Sequence, residues 1–264
     1  YNTSCMKKNQ SVNLLHGPIF KSLSLLAIPI MATYFIQMAY NLVDMLWIGY
    51  LGSGAVASIG VSGNFMYLAN GLVNMPKVGS QALVGQSLGA QNKKETHAYI
   101  QAAFQSAIFF AVVYGIIIIL FQKSLIQLFN LTDPTIIQDA QNYLWITCGF
   151  VLFSFVNQIF TGILTAAGHS KSTFIATTTG LVLNLILDPI LIFVFDLKVV
   201  GAALATIIAQ FIVTLVFLYD ARNLEIFNEF QLLSKPEKNH IAKILKIGFP
   251  TSVQSMLFTC ISMY

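Results

Sequence analysis

The sequence predicts an all-α, polytopic membrane protein: a six-helix transmembrane bundle followed by the start of a seventh helix. Three observations carry that prediction. Hydrophobic residues make up 56% of the 264 positions and charged residues only 9%, with a mean hydropathy of +0.73, against about 25% charged in ordinary soluble domains. The apolar stretches run for about 20 residues or more, enough to cross a hydrocarbon core of about 30 Å as helices. Lysine and arginine gather in alternate loops, as cytoplasmic loops require.

The spans fall at residues 23–48, 56–88, 98–121, 136–164, 174–195 and 199–219, each bounded by polar residues or by Gly and Pro. A seventh opens near Ile241 and runs to Tyr264. With the amino terminus cytoplasmic, eleven basic residues face inward, including Lys21, Lys93, Lys94, Lys171 and Arg222, and only Lys123 and Lys198 face outward. The net charge of +4 is therefore an orientation signal, and it gives no ground for a nucleic-acid partner. The chain divides into a cytoplasmic segment (1–20), a six-helix lobe (21–219), a cytoplasmic linker (220–240) and the start of a second lobe (241–264). Cys5, Cys148 and Cys260 stand too far apart for a CxxC motif, and no Walker A sequence occurs.

Two carboxylates, Asp44 and Asp188, sit inside predicted spans. An intramembrane acid costs roughly 2.5 to 3.5 kcal/mol on insertion scales, so such residues mark ion or proton pathways by default. On the fifth span Thr173, Thr177, Gly180, Asn184 and Asp188 recur every three or four residues and share one helical face. Thr33, Gln37, Asn41 and Asp44 repeat the pattern on the first span. Ser154, Asn157, Gln158, Thr161 and Thr165 do so on the fourth, and Thr206, Gln210 and Thr214 on the sixth. The second span adds Asn70, Asn74 and Gln81. Five polar stripes can converge on one wet interior.

At about 1.5 Å per residue, Asp44 lies about 7.5 Å from Gly49, Asp188 about 10 Å from Phe195, and Thr206 about 10 Å from Val199. All three ends face outward, so acids and hydroxyl share one layer. Asp44, Asn184, Asp188 and Thr206 offer hard oxygen ligands suited to Na⁺, and two close acids also suit H⁺. Gln37, Tyr40, Asn41, Asn157, Thr161 and Gln210 are expected to line the adjoining pocket. Pro29 and Pro189 each remove a backbone donor, and Pro29 is read as a hinge. Gly85 and Gly89 form a GxxxG pattern, read as a close helix contact. Lys77 is the one basic residue within a span and the natural partner if the acids serve packing alone.

Lys21 to Gln37 and Lys243 to Gln254 align weakly through Pro29 and Pro250, an offset of 221 residues in the same membrane orientation. By that offset the counterpart of Asp44 would be residue 265, so a second lobe is expected beyond Tyr264.

Several motifs resemble the amino-terminal half of the multidrug and toxic compound extrusion (MATE) family, its DinF-like branch above all. They are Ala27-Ile28-Pro29, Tyr40-Asn41-Leu42-Val43-Asp44 with Gly49-Tyr50-Leu51-Gly52, Gly85-Gln86-Ser87-Leu88-Gly89-Ala90, and Asn184-Leu185-Ile186-Leu187-Asp188-Pro189. The resemblance spans the chain from about Gly17 onward. It implies a twelve-helix fold of two six-helix lobes in the cytoplasmic membrane, of which this chain supplies the first. It implies cation-coupled antiport of organic, often cationic, drugs, with Na⁺ or H⁺ as coupling ion and no other cofactor. The family's cation site maps onto Asp44, Asn184, Asp188 and Thr206, with Asn157 nearby. A lipid flippase of the same superfamily and an inactive half-transporter are the alternatives. An intramembrane aspartyl protease is disfavoured because its Tyr-Asp and Gly-x-Gly-Asp motifs are absent.

Overall fold

The computed structural model describes residues 19–227 and 237–262, and helices account for nearly all of them. The expected segment 1–20 and residues 228–236 of the expected linker fall mainly outside that range. The helices are α1 (Ile19–Tyr50), α2 (Ser53–Gly89), α3 (Lys93–Gln127), α4 (Pro134–Gly149), α5 (Val151–Ala166), α6 (Ser170–Pro189), α7 (Lys198–Ala221) and α8 (Lys238–Ser262). Five of them are long and apolar enough to cross a membrane, and six such spans result if α4 and α5 count as one. α1, at 32 residues, is also of spanning length.

Local chemistry sets the helix starts. The Asn92 side chain accepts from the backbone N–H of Glu95 at the head of α3. Asp133 accepts from the N–H of Thr135 at 2.8 Å, and Pro134 takes the first position of α4, where a missing N–H costs nothing. The fourth span, expected as one rod, instead bends by 48° between α4 and α5. Gly149 and Phe150 sit at the break. The bare Cα of Gly115 on α3 lets the Cys148 carbonyl approach to 3.0 Å from where a Cβ would stand. Tight α3–α4 contact and a weak helix former at the same level account for the bend.

The fifth span ends differently from a simple helix. Past Pro189 the chain enters a π-helical turn, Ile190–Val194, closed by Phe195 N–H donating to Ile190 O at 3.0 Å. Proline cannot supply an N–H here, and the wider turn re-satisfies the carbonyls that follow.

The apolar core lies between α2, α3, α5 and α7. Phe104, Phe155, Phe160 and Phe217 are at most 3% exposed, and Phe160 packs against both Phe104 and Phe217, with ring centroids 4.8 and 5.4 Å away. A smaller cluster of Ile48, Ala55 and Val199 ties the end of α1 to the beginnings of α2 and α7. α8 runs antiparallel along α2. A Cβ on Gly79 would stand 2.0 Å from Ile244 O, and one on Gly248 would stand 1.8 Å from Met75 O, so the two backbones touch at reciprocal glycines. Ser252 Oγ seals the crossing by donating to Gly71 O at 2.7 Å. The Gly85–Gly89 pair plays no such part. Ala166 Cβ is 3.9 Å from the position of a Gly85 Cβ, and nothing lies within 4 Å at Gly89.

Candidate functional site

α1 and α6 run parallel and in register, and that register builds the site. The Tyr40 hydroxyl donates to Asn184 Oδ1, an offset of 144 residues. One turn further, Asp44 and Asp188 meet at the same offset (188 − 44 = 144), with their carboxyl groups within hydrogen-bonding reach. Asn184 Nδ2 donates to Asp188 Oδ1 at 2.9 Å along the α6 face. Asp188 is 1% exposed, and its other oxygen, Oδ2, has no protein partner. Tyr143 of α4 lies within electrostatic range of both acids. Two carboxylates in contact repel unless a proton or a cation stands between them. A buried carboxylate oxygen beside that contact, without a donor from the protein, is a group that either would satisfy.

Lys77 does not neutralise the acids. Its ammonium donates to Gln158 Oε1 of α5 at 2.5 Å. Among the described residues neither acid has a basic partner within salt-bridge distance.

Below the acid pair a cavity of about 400 Å³ opens between α1, α2, α5, α6 and α7. Its lining includes Thr33 and Gln37 of α1, Lys77 and Gln81 of α2, Ser154 and Thr161 of α5, Thr177 of α6, and Thr206 and Gln210 of α7. Every span read as carrying a polar stripe contributes at least one stripe residue. Tyr40 and Asn184 belong to both structures, lining the cavity on one side and contacting the acid layer on the other. Asp44 and Asp188 themselves do not line it.

Individual expectations fare differently. Asn157 lines the cavity and is bonded at both ends of its amide. Its Nδ2 donates to Gln210 O and Oε1 at 2.9 and 2.8 Å, and its Oδ1 accepts from Thr214 at 2.9 Å, so it fastens α5 to α7. The Thr206 hydroxyl donates to Ala202 O at 3.0 Å, leaving its lone pairs toward the cavity. Asn41, expected in the pocket, is exposed and is not part of the lining. At 100° per residue it stands at the edge of the α1 face, about 40° beyond Gln37 and about 100° from Tyr40. Asn74 is diverted to α8, where its Nδ2 donates to Ser255 Oγ at 3.1 Å. Pro29 sits inside an unbroken α1, with its carbonyl taken by Thr33 Oγ1 at 2.9 Å. The sequence reading missed Tyr143 and Ser170. An aromatic residue in an apolar helix carries no signal of its own, whereas Ser170 extends the Thr173–Thr177 spacing by one step.

Three comparisons bear on this arrangement. The family model described as MatE matches residues 29–190. A multidrug export protein, MepA, of Staphylococcus aureus (strain bovine RF122 / ET3-1) is 30% identical over 263 residues, covering 96% of this chain and 56% of the relative. The protein of the same description from Staphylococcus saprophyticus is 28% identical over 262 residues, with the same coverage. Among solved structures, a MATE crystal structure in the bent conformation superposes with a TM-score of 0.85 at 25% identity, over 94% of this chain and 55% of the other. Another, in complex with MaD3S, gives 0.87 at 25% identity, over 94% and 56%. The chain thus spans about half the length of the relatives it matches.

Proposed function

The chain belongs to the MatE family, and from that premise we propose that it forms the amino-terminal lobe of a cation-coupled antiporter exporting organic compounds across the cytoplasmic membrane. It is a transporter component rather than an enzyme, and its relatives' description as multidrug export proteins sets the expected range of cargo. The contact between Asp44 and Asp188 carries the reading, with the Tyr40–Asn184 pair standing between that contact and the cavity. Na⁺ or H⁺ entering from outside neutralises the acids and frees Asn184 from Asp188. The Tyr40 contact between α1 and α6 then shifts, and the cavity loses affinity for its cargo. A positively charged group on the cargo is drawn toward the same acids, so ion and cargo compete. That competition is the differential interaction alternating access needs. α1, relieved of one backbone hydrogen bond at Pro29, is the element that bends.

Ion-dependent thermal stability tests this on the chain itself, purified in detergent. Replacing choline with sodium, or lowering the pH, should raise Tm by ~2–4 °C for each kcal/mol of ion binding. Asp44→Asn and Asp188→Asn should each abolish the response. In the transporter assembled with a carboxy-terminal lobe, gradient-driven efflux of a fluorescent cation should collapse in Asp44→Asn. Undiminished efflux, or an ion response that survives both substitutions, overturns the proposal.

A further inference from the structure

The first turn of α8 meets the first turn of α3 through one histidine. His240 Nε2 lies 3.3 Å from Glu95 Oε2 of α3, and His240 Nδ1 lies 2.6 Å from Oε2 of Glu237, the residue before α8. The second approach is an ion contact without the alignment of a hydrogen bond. The Tyr99 ring of α3 packs against the imidazole at 70°, with centroids 4.9 Å apart, and so fixes the plane of the histidine. The His240 side chain is only 14% exposed, whereas both glutamates stand more open to water. Lys243, one turn further along α8, and Tyr99 also face Glu95. Lys93 and His97 of α3 line a separate depression beside Glu225. α2, the other helix packed on α8, carries its titratable groups, Tyr67 and Lys77, on the far side of the Gly79–Ile244 contact.

One proton decides whether this arrangement holds. A neutral imidazole has one N–H and one lone pair, so either tautomer turns a lone pair toward a carboxylate. An imidazolium presents a donor and positive charge on both sides at once. Histidine exchanges that proton between about pH 5 and 8. We infer that His240 is a proton-operated latch. Charged, it ties the start of α8 to α3 through Glu95 and to its own entry through Glu237. Neutral, it lets the start of α8 leave α3, while the helix stays held at its glycine crossing with α2. The latch lies at the opposite end of the bundle from the acid pair and needs no part of the antiport reading. In the orientation proposed from the basic residues it faces the cytoplasm and tightens as the cytoplasm acidifies. As the expected first helix of a second lobe, α8 would carry the latch across the seam between the lobes.

Distances between spin labels test it. Lys94 and Ala242 are exposed beside the contact, one on each helix. Labels on Lys94→Cys and Ala242→Cys, with Cys5, Cys148 and Cys260 replaced by serine, report the separation of the two helix starts in the purified chain in detergent. Two populations are expected. Because one proton links them, the ratio of latched to released chains should fall by up to about tenfold per pH unit as the pH rises from about 6 to about 8. His240→Gln and Glu95→Gln should each give one distribution at both pH values, and Glu95→Gln alone decides the matter if His240→Gln does not fold. Asp44→Asn, which removes the proposed ion site, should leave the pH response of the labels in place. A distribution indifferent to pH in the labelled chain, a response that survives His240→Gln or Glu95→Gln, or a response lost in Asp44→Asn each overturn the latch. An intact label response in a chain whose Tm ignores sodium and pH sinks the antiport reading and leaves this one standing.

Discussion

Asn184 and Asn157 are both buried amides on cavity-lining helices, yet their surroundings give them opposite roles. Asn157 is bonded at both ends to α7, so its side chain is held as a fastening between α5 and α7. Asn157→Leu should therefore act on stability, costing about 1–2 kcal/mol through the lost α5–α7 bonds and the Gln210 Oε1 left without its donor, with the ion response of Tm intact. Asn184 links Tyr40 to Asp188, so Asn184→Leu should abolish the ion response, and paired melts of the two variants with and without sodium separate the roles. A third polar residue, His169, contributes to the pH dependence of stability from outside the membrane. Burial pushes its imidazole below the ordinary histidine range, and Asp220 pulls it partly back. Its neutral form is favoured in the fold, so its share of stability is complete above the unfolded value and is lost as pH falls through the lower, folded one. His169 therefore opposes the gain from proton binding at the acids: between about pH 8 and about pH 5.5 the Tm of the unsubstituted chain should rise less, or fall further, than that of His169→Gln.

Helix faces were legible in the sequence because polarity recurs every three or four residues within one segment. The stripe from Thr173 to Asp188 needed no knowledge of its neighbours. Contacts between segments were not legible in this way. Gly85 and Gly89 carry the familiar spacing but make no close backbone contact, whereas Gly79 and Gly248, which hold α2 against α8, stand 169 residues apart (248 − 79) with no shared motif. The bend at Gly149 and the π turn after Pro189 likewise depend on what packs alongside. Asn41 keeps the stripe's spacing but stands at its edge, and whether an edge position enters the cavity depends on the helices packed alongside α1. The glycines give a direct comparison. Gly79→Ala and Gly248→Ala force a Cβ onto a backbone carbonyl and should each cost at least about 1–3 kcal/mol. Gly85→Ala and Gly89→Ala meet no clash and should be neutral or stabilising by up to about 1 kcal/mol, since alanine is the better helix former. Melts of the four variants in one detergent check the ranking, and equal losses at Gly79 and Gly85 would contradict the α2–α8 crossing.

At the scale of the whole molecule, the proposed direction of transport depends on which end of the bundle faces the cytoplasm. Large apolar side chains such as Met31, Phe35, Phe109, Leu120 and Phe211 are exposed around the bundle, as a lipid-facing girdle requires, and they say nothing about direction. Charge does. Lys93 and Lys94 at the start of α3, Lys171 at the start of α6 and Arg222 just past α7 mark one end. Lys198 at the start of α7 and Lys123 near the end of α3 mark the other. The acid pair lies toward the second end, with Asp44 six residues (50 − 44), or about 9 Å, before the last residue of α1. On the positive-inside rule we propose that the acids lie in the outer half of the membrane, where an inward ion gradient would reach them first. Single cysteines at Lys94 and Lys198, in a background with Cys5, Cys148 and Cys260 replaced by serine, test the orientation. In intact cells an impermeant maleimide should label the cysteine at 198 and leave the one at 94 unlabelled until the membrane is opened. The reverse pattern would put the acids in the inner half, so an inward gradient would reach the cavity before the carboxylates and the proposed order of ion entry and cargo release would fail.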